Sequence, residues 1–178
     1  MKFDTRKITF TALMVALALV IEILSTFIFP LPQGGNVSLV ALPLLILGYF
    51  YGVPLAMFGG ILVGVMQGLF VPPFVVSPIQ YLLDYVFSFM FMGMGGFLLN
   101  TKIGNKNIAL SLGIIVSLLL RYFGHVISGT IFFAEYAGEQ LPIIYSLIYN
   151  STYMIPTLVV TLLTAPIVLN FAKKAIKI

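Results

Sequence analysis

The amino-acid sequence predicts an all-α membrane protein, a bundle of six transmembrane helices with both termini in the cytoplasm. The first observation is composition: 61% of the 178 residues are hydrophobic and only 8% are charged, whereas a soluble domain carries about 25% charged residues. The second is that apolar runs of bilayer-spanning length, about 20 residues, recur along the chain. The third is that Lys and Arg gather at alternate ends of these runs, as the positive-inside rule describes.

The apolar runs divide the chain into six predicted spans that form a single domain, residues 1–178. The spans lie at residues 8–29, 38–51, 53–71, 79–99, 108–133 and 143–172. The second span is short and continues into the third through GYFYGVP. The sixth contains Pro156 and Pro166, so a kink or a separate short first segment is expected there. No signal-peptide cleavage pattern follows the first run, which is therefore interpreted as a true span.

The distribution of basic residues predicts the orientation. Eight of the nine Lys and Arg lie in MKFDTRK before the first span, TKIGNKN between the fourth and fifth, and KKAIK after the sixth. Six spans place these three segments on one side of the membrane, which the rule makes cytoplasmic. The intervening segments FPLPQGGNVS, FVPPFVVSP and AEYAGEQLP contain no Lys or Arg. The net charge of +4 is thus explained by basic residues at the cytoplasmic ends of the spans, and no nucleic-acid partner is expected.

Several functional classes are disfavoured by the residues present. The chain has no GxxxxGK[ST] motif and no cysteine, so ATP hydrolysis by this chain alone and thiolate metal sites are not expected. Its single His and its two embedded acids, which lie on different spans, are too few for a metal-dependent intramembrane enzyme. We expect no catalytic residue, no metal site and no cofactor.

Four ionisable residues fall inside predicted spans: Glu22, Asp84, Arg121 and His125. A charge near the bilayer centre costs at least about 2.5 kcal/mol on insertion scales, which makes each one a candidate functional residue. Arg121 and His125 are four residues apart and share a helix face. Gly129 and Phe133 extend that face toward the outer surface.

Polar and aromatic residues on the neighbouring spans complete a predicted pocket that opens outward. The fourth span contributes Gln80, Asp84 and Tyr85, and the sixth contributes Tyr145, Tyr149, Asn150 and Tyr153. One carboxylate, one imidazole, an amide and several aromatic rings suit a flat, aromatic, cationic solute, which the rings bind by stacking and cation–π contact.

Structural interpretations stand beside the functional ones. In the first such interpretation, Asp84 and Arg121 neutralise one another inside the bundle. In the second, His125 is a hydrogen-bonded structural residue. The tyrosines of the sixth span form an interfacial aromatic belt in the third. Glu22 has no obvious partner and stays unassigned.

Small residues predict close helix packing at two places. Ala12 and Ala16 are four residues apart in the first span, a spacing that lets another helix approach, either inside the bundle or from a partner protein. Gly60 and Gly64 repeat the spacing in the third span, where internal packing is expected. The segment PLPQGG beside the proposed pocket is either a lid or a plain connecting loop.

The segments PQGGNVS, QYLLDYV, LLRYFGHVISGTIFF and IYSLIYNSTYM, in this order and spacing, resemble the thiamine-specific substrate-binding (S) components of energy-coupling factor transporters. The resemblance covers nearly the whole chain. It implies a protein of the cell membrane that is not an enzyme and that binds thiamine from outside. It further implies docking on a transmembrane coupling protein and two cytoplasmic ATPase subunits, which alone use ATP.

The resemblance also assigns roles to residues of this chain. Asp84 and Asn150 are expected to hydrogen-bond and neutralise the ligand, His125 and Phe133 to stack on its rings, and Tyr85 and Tyr145 to donate hydroxyls. Gly129 completes the pocket. Ala12 and Ala16 match the small-residue motif that contacts the coupling protein. Arg121 is expected to be structural, holding Asp84 or backbone carbonyls in place.

The chain departs from the family pattern at two places. Members often have tryptophan in the pocket and in the first outer loop, whereas this chain has none and places Phe133 and Gly34–Gly35 there. Members often have glutamate where Asp84 stands. These departures leave open the choice between thiamine, its precursors and its phosphate esters.

A second function stays open on the residues alone. A solitary proton-coupled secondary transporter for a small cationic or heteroaromatic solute would use Glu22, Asp84 and His125 as a proton relay. Such transporters often carry internal repeats. The two halves of this chain show no convincing match, which favours the binding subunit.

Overall fold

The computed structural model describes residues 5–28, 31–70, 74–99, 101 and 103–176, and every regular element in this part of the chain is helical. The helices are α1 Thr5–Ile28, α2 Ala41–Tyr51, α3 Val53–Phe70, the composite helix α4 at residues 78–96, α5 Lys106–Phe132 and α6 Pro142–Ala175. A short 3₁₀ turn, Ala134–Ala137, lies between α5 and α6.

Four helices, α1, α3, α5 and α6, are long and apolar enough to cross a membrane by length and composition. The helix α2 is apolar but has 11 residues, and it begins three residues later than the predicted second span. Several positions used in the predictions lie outside the described residues. They are the span-end residues 29 and 71, Pro30 of the first loop, and the basic residues Lys2, Lys102 and Lys177. Six membrane crossings and cytoplasmic termini therefore stay predictions.

Helix α6 is one continuous helix of 34 residues that contains both Pro156 and Pro166. The separate short first segment considered for the sixth span is therefore wrong. The start of α6 is well defined, because Pro142 occupies the first turn of the helix, where a missing backbone N–H costs nothing. The next helical turn upstream is the 3₁₀ turn Ala134–Ala137.

Helix α4 changes its winding three times. It is α-helical at Pro78–Tyr81, π-helical at Leu82–Phe87, α-helical at Ser88–Met92 and 3₁₀-helical at Gly93–Gly96. Its start is capped by Ser77, whose hydroxyl accepts a hydrogen bond from the Ile79 N–H at 3.3 Å. A π-helical turn holds one extra residue, and such turns occur often at functional sites. Here the turn contains Asp84.

Glycines in α3 let α4 approach closely, as the sequence predicts. A Cβ atom added to Gly60 would lie 2.1 Å from the Phe89 carbonyl oxygen, and one added to Gly64 would lie 2.7 Å from the Tyr85 carbonyl oxygen. Real Cβ atoms do not approach backbone so closely, so both positions require glycine. This contact brings the Tyr85 and Phe89 turns of α4 to the centre of the bundle.

The interior of the bundle is apolar, and so is much of its outer surface. Val40, Leu44, Leu47, Val63 and Met92 are completely buried. Large apolar side chains also cover the outside, among them Leu13, Phe27, Leu69, Leu163 and Phe171, each at least 60% exposed. An apolar surface of this extent is unfavourable in water and suits hydrocarbon.

Candidate binding cavity

A cavity of about 450 Å³ lies within the bundle and is lined by α1, α3, α4, α5, α6 and the loop at residues 31–36, which is called the outer loop after its predicted side of the membrane. The seven residues to which the resemblance assigns a ligand-binding role all line it: Asp84, Tyr85, His125, Gly129, Phe133, Tyr145 and Asn150. Gln80, Tyr149, Tyr153 and Arg121 line it as well. The cavity is of the size that holds a small organic ligand.

Asp84 is the centre of a hydrogen-bond network that joins α4 to α5. One carboxylate oxygen lies 2.9 Å from Nδ1 of His125. The other accepts hydrogen bonds from Gln80 Nε2 at 2.6 Å and from the Ser128 hydroxyl at 2.7 Å. Both oxygens of this carboxylate are therefore satisfied, and its position is fixed from two helices.

Arg121 reaches Asp84 through His125 rather than by a direct contact. Its Nε donates to His125 Nε2 at 3.1 Å, and its Nη1 lies 3.0 Å from the Met92 sulfur. The guanidinium also lies 5.1 Å from the centre of the Phe89 ring, within cation–π range. The sequence interpretation in which Arg121 and Asp84 neutralise one another by direct contact is therefore replaced by a hydrogen-bonded chain from Arg121 through His125 to Asp84.

This chain determines which nitrogen of His125 carries the proton. A guanidinium only donates, so Nε2 of His125 must accept the hydrogen bond from Arg121. Nδ1 then carries the proton and donates to Asp84. The Ser88 hydroxyl lies 3.3 Å from the same Nε2. Arg121 thus fixes the tautomer and orientation of the imidazole. Its hydrogen-bond partners are His125 and Met92, whereas the sequence predicted that it holds Asp84 or backbone carbonyls.

Aromatic side chains form one wall of the cavity near the end of α5. The rings of Phe133 and Phe74 lie 5.6 Å apart between centroids and are tilted by 37°. The Tyr85 hydroxyl accepts a hydrogen bond from the Phe74 backbone N–H at 3.1 Å. Phe133 is only 8% exposed, and it presents the ring that the sequence predicts at the stacking position.

The outer loop at residues 31–36 is tied to α6 by two tyrosines. The Tyr145 hydroxyl donates to Oε1 of Gln33 at 2.9 Å. The Tyr149 hydroxyl donates to the Gly34 carbonyl at 2.8 Å and accepts from the Gln33 backbone N–H at 3.0 Å. The loop is therefore held against the cavity, an arrangement that the interfacial-belt interpretation of these tyrosines does not anticipate.

Gly35 allows the same loop to pack on Tyr153. Its φ of +87° lies in the left-handed region, and an added Cβ would lie 2.6 Å from the Tyr153 ring. Gly34 has a φ of +79°, but an added Cβ there would make only an ordinary contact with Phe74 at 3.6 Å. The glycine pair thus gives the loop both its turn and its close approach.

Asn150 and Gly129 shape the boundary between α5 and α6. Asn150 Nδ2 donates to the Ser146 carbonyl at 2.9 Å, and its Oδ1 accepts from the Tyr153 hydroxyl. A Cβ on Gly129 would lie 2.2 Å from the Ser146 hydroxyl oxygen. The amide of Asn150 is thus used within the helix, so a ligand would exchange one of these bonds for its own.

A second polar cluster lines the cavity on the side of α1. Glu22 is only 3% exposed. Its Oε1 accepts hydrogen bonds from Asn36 Nδ2 at 2.9 Å and from Gln67 Nε2 at 3.2 Å. Sequence reasoning left Glu22 without a partner and did not select Asn36 or Gln67. The only signal in the sequence was a lone amide in an otherwise apolar third span.

The two alanines proposed for partner contact lie on the outer surface of α1. Ala12 and Ala16 are exposed, whereas Ala18 on the same helix is fully buried. Ala18 therefore provides the internal packing, and packing of Ala12 and Ala16 inside the bundle is wrong. Between them and around them lie exposed apolar side chains such as Leu13 and Leu17.

An apolar helical bundle with a polar and aromatic cavity at its centre is the architecture of a membrane protein that carries a small solute. Comparison with known proteins gives the same class. The family model described as "Thiamine transporter protein (Thia_YuaJ)" matches residues 8–177. "Thiamine transporter ThiT" of Bacillus subtilis (strain 168) is 32% identical over 176 residues, which cover 93% of this chain and 91% of that protein.

A solved structure of ThiT from Listeria monocytogenes shares the fold. It matches with a TM-score of 0.79 at 22% sequence identity, over 96% of this chain and 98% of that one. The chain belongs to the thiamine transporter protein family. The family named from the sequence is thus confirmed, and membership of a transporter family agrees with the expectation that the chain is not an enzyme.

Proposed function

We propose that this protein is the high-affinity thiamine-binding membrane subunit of an energy-coupling factor importer. It spans the membrane six times, takes thiamine from the outer side and receives its energy from partner ATPases. Thiamine joins a neutral aminopyrimidine ring to a cationic thiazolium ring. Its cation and two flat rings match a cavity that contains carboxylates and aromatic side chains.

The observation that carries the proposal is the Asp84–His125 pair at the cavity wall. The 2.9 Å contact places an anionic acceptor and an imidazole side by side, with the ring of Phe133 lining the same cavity. A carboxylate accepts from the amino group of the pyrimidine, while flat rings stack on the imidazole and phenyl groups. The names of the relatives support thiamine as the ligand.

Titration of the detergent-purified protein with thiamine tests the proposal, by calorimetry or by tyrosine fluorescence. We expect tight binding by the unmodified protein. Asp84→Asn and His125→Ala should each weaken it at least about 10-fold, because each removes a hydrogen bond that involves a charged group. Ser117→Ala on α5 is the matched control, since its buried hydroxyl donates only to the Ile114 carbonyl. Absence of thiamine binding by the folded unmodified protein would contradict the assignment.

The proposed partners are a transmembrane coupling protein and two cytoplasmic ATPase subunits. The exposed small-residue face of α1 supports a helix–helix contact there, because alanines four residues apart let backbones approach closely. Ala16→Leu should abolish co-purification with the coupling protein and vitamin uptake, while thiamine binding stays unchanged. Val159→Phe enlarges another lipid-facing side chain and should change neither. Normal assembly of Ala16→Leu would contradict this docking face.

The solitary proton-coupled transporter is distinguished by its energy source. Uptake into cells or vesicles should stop when the ATPase subunits are absent or inactive. It should continue when an ionophore collapses the proton gradient and ATP is maintained. The opposite pattern would favour the proton relay of Glu22, Asp84 and His125.

A further inference from the structure

The two carboxylates that line the cavity differ in how fully they are satisfied. Asp84 uses both oxygens, toward His125, Gln80 and Ser128. Glu22 uses only Oε1, and both of its partners, Asn36 and Gln67, are neutral amides. Glu22 thus has one oxygen, Oε2, with no partner at all, whereas each oxygen of Asp84 has at least one.

The cluster around Glu22 has an excess of acceptors. Five buried side-chain oxygens have no hydrogen-bond partner in the described part of the chain, and three of them belong to this cluster: Glu22 Oε2, Asn36 Oδ1 and Gln67 Oε1. The other two, on Tyr51 and Thr161, do not line the cavity. The three side chains of the cluster are 3%, 5% and 5% exposed, and all three line the cavity. Buried acceptors normally have partners, so three together indicate that a group from outside the chain fills this position.

The chemistry of the cluster identifies that group. Three oxygens, one of them on a carboxylate, accept hydrogen bonds and attract positive charge, and they repel anions. Asn36 and Gln67 each already use their NH₂ group on Glu22. The cluster therefore suits a cation or a donor and disfavours a phosphate.

On the basis of the proposed function, we propose that Glu22, Asn36 and Gln67 form a second subsite, which binds the cationic thiazolium end of thiamine. The Asp84–His125 pair then serves the neutral aminopyrimidine end. The two carboxylates divide the ligand between them, and Glu22 rather than Asp84 is its counter-ion. A residue without a role in the sequence pattern thereby determines selectivity for charge.

A cycle of two ligands and two proteins tests this division. The ligands are thiamine and an analogue in which an uncharged aromatic ring replaces the thiazolium; the proteins are unmodified and Glu22→Gln. In the unmodified protein the analogue should bind at least about 10-fold more weakly, because it lacks the charge that Glu22 meets. In Glu22→Gln that difference should shrink to about twofold, since the mutation and the analogue remove the same interaction.

Two further variants keep the test decisive. Glu22→Asp retains the charge and should preserve most of the preference for the cation. Ser25→Ala on the same helix removes a buried hydroxyl that donates only to the Ile21 carbonyl, and it should not alter the preference. If Glu22→Gln does not fold, the comparison of the two ligands on the unmodified protein and on Glu22→Asp still decides the question.

The outcomes separate the two proposals. Equal binding of both ligands by the unmodified protein would overturn the subsite while leaving thiamine binding intact. The same holds if Glu22→Gln weakens both ligands equally. No binding of thiamine to the unmodified protein would overturn the proposed function and the subsite together.

Discussion

At the scale of residues, the cavity depends on side chains that hold one another in place. Arg121 does not need to touch a ligand to affect binding, because it fixes His125, and His125 in turn meets Asp84. A buried network of this kind loses more than one contact when a member is removed.

Arg121→Lys should therefore weaken thiamine binding by about 10-fold although the positive charge is kept, because a lysine cannot reproduce the directed Nε contact. The nitrogen NMR shifts of His125 should move away from the single Nδ1–H tautomer. Ser117→Ala, one turn earlier on α5, should leave both the affinity and these shifts unchanged. An unchanged His125 spectrum in Arg121→Lys would contradict the positioning role.

Gly35→Ala should destabilise the outer loop and weaken thiamine binding. The strain of a left-handed backbone costs about 1–3 kcal/mol, and the new methyl would also meet the Tyr153 ring. Gly138→Ala is the control, since its φ is +59° but an added Cβ meets nothing within 4 Å. Thermal unfolding and thiamine titration measure the two effects, and equal behaviour of the two variants would contradict a role for the Tyr153 contact.

Residue identities in the cavity were largely predictable, whereas their partners were not. Asp84 and His125 are conspicuous in apolar spans, and the shared helix face of residues 121, 125, 129 and 133 follows from helical periodicity. Asn36 lies in a loop and Gln67 on another helix, so their approach to Glu22 depends on tertiary packing. No local pattern reports such a contact.

At the scale of elements, α4 shows what a hydropathy profile omits. Residues 79–99 read as one apolar run, yet the helix passes through α, π and 3₁₀ winding. The run carries no proline after Pro78 and no charge except Asp84, so nothing local predicts the π-helical turn. Its position is explained by packing, since the backbone of Tyr85 lies against Gly64 in α3.

Gly60→Ala should lower the melting temperature of the protein by several degrees. Its Cβ would meet the Phe89 backbone rather than a movable side chain, so α3 and α4 would have to separate. Gly124→Ala in α5 is the matched control, because its Cβ would lie 4.0 Å from the nearest atom outside its own helix, the Leu83 carbonyl oxygen. Alanine there is expected to stabilise the helix by up to about 1 kcal/mol.

At the scale of the whole molecule, orientation is the prediction that composition supports most directly. Arg6 and Lys7 begin α1, Lys106 begins α5, and Lys173 and Lys174 end α6. The turn between α5 and α6 carries Glu135 and Glu139 instead. The charge asymmetry favours cytoplasmic termini.

Cysteine labelling tests this orientation cleanly because the natural chain has no cysteine. In intact cells, a membrane-impermeant thiol reagent should label Glu139→Cys and should not label Lys174→Cys. Both variants should react after the membrane is permeabilised, which is the control for accessibility. Labelling of Lys174→Cys in intact cells would reverse the topology.

The ties between the outer loop and α6 also bear on how fast the ligand enters and leaves. Three hydrogen bonds hold residues 33 and 34 to Tyr145 and Tyr149, and the loop lines the cavity. We predict that ligand exchange requires this loop to be released, so that its opening limits both the association and the dissociation rate constants. In the proposed importer, slow release of this kind would keep thiamine bound long enough for an encounter with the partner subunits in the plane of the membrane.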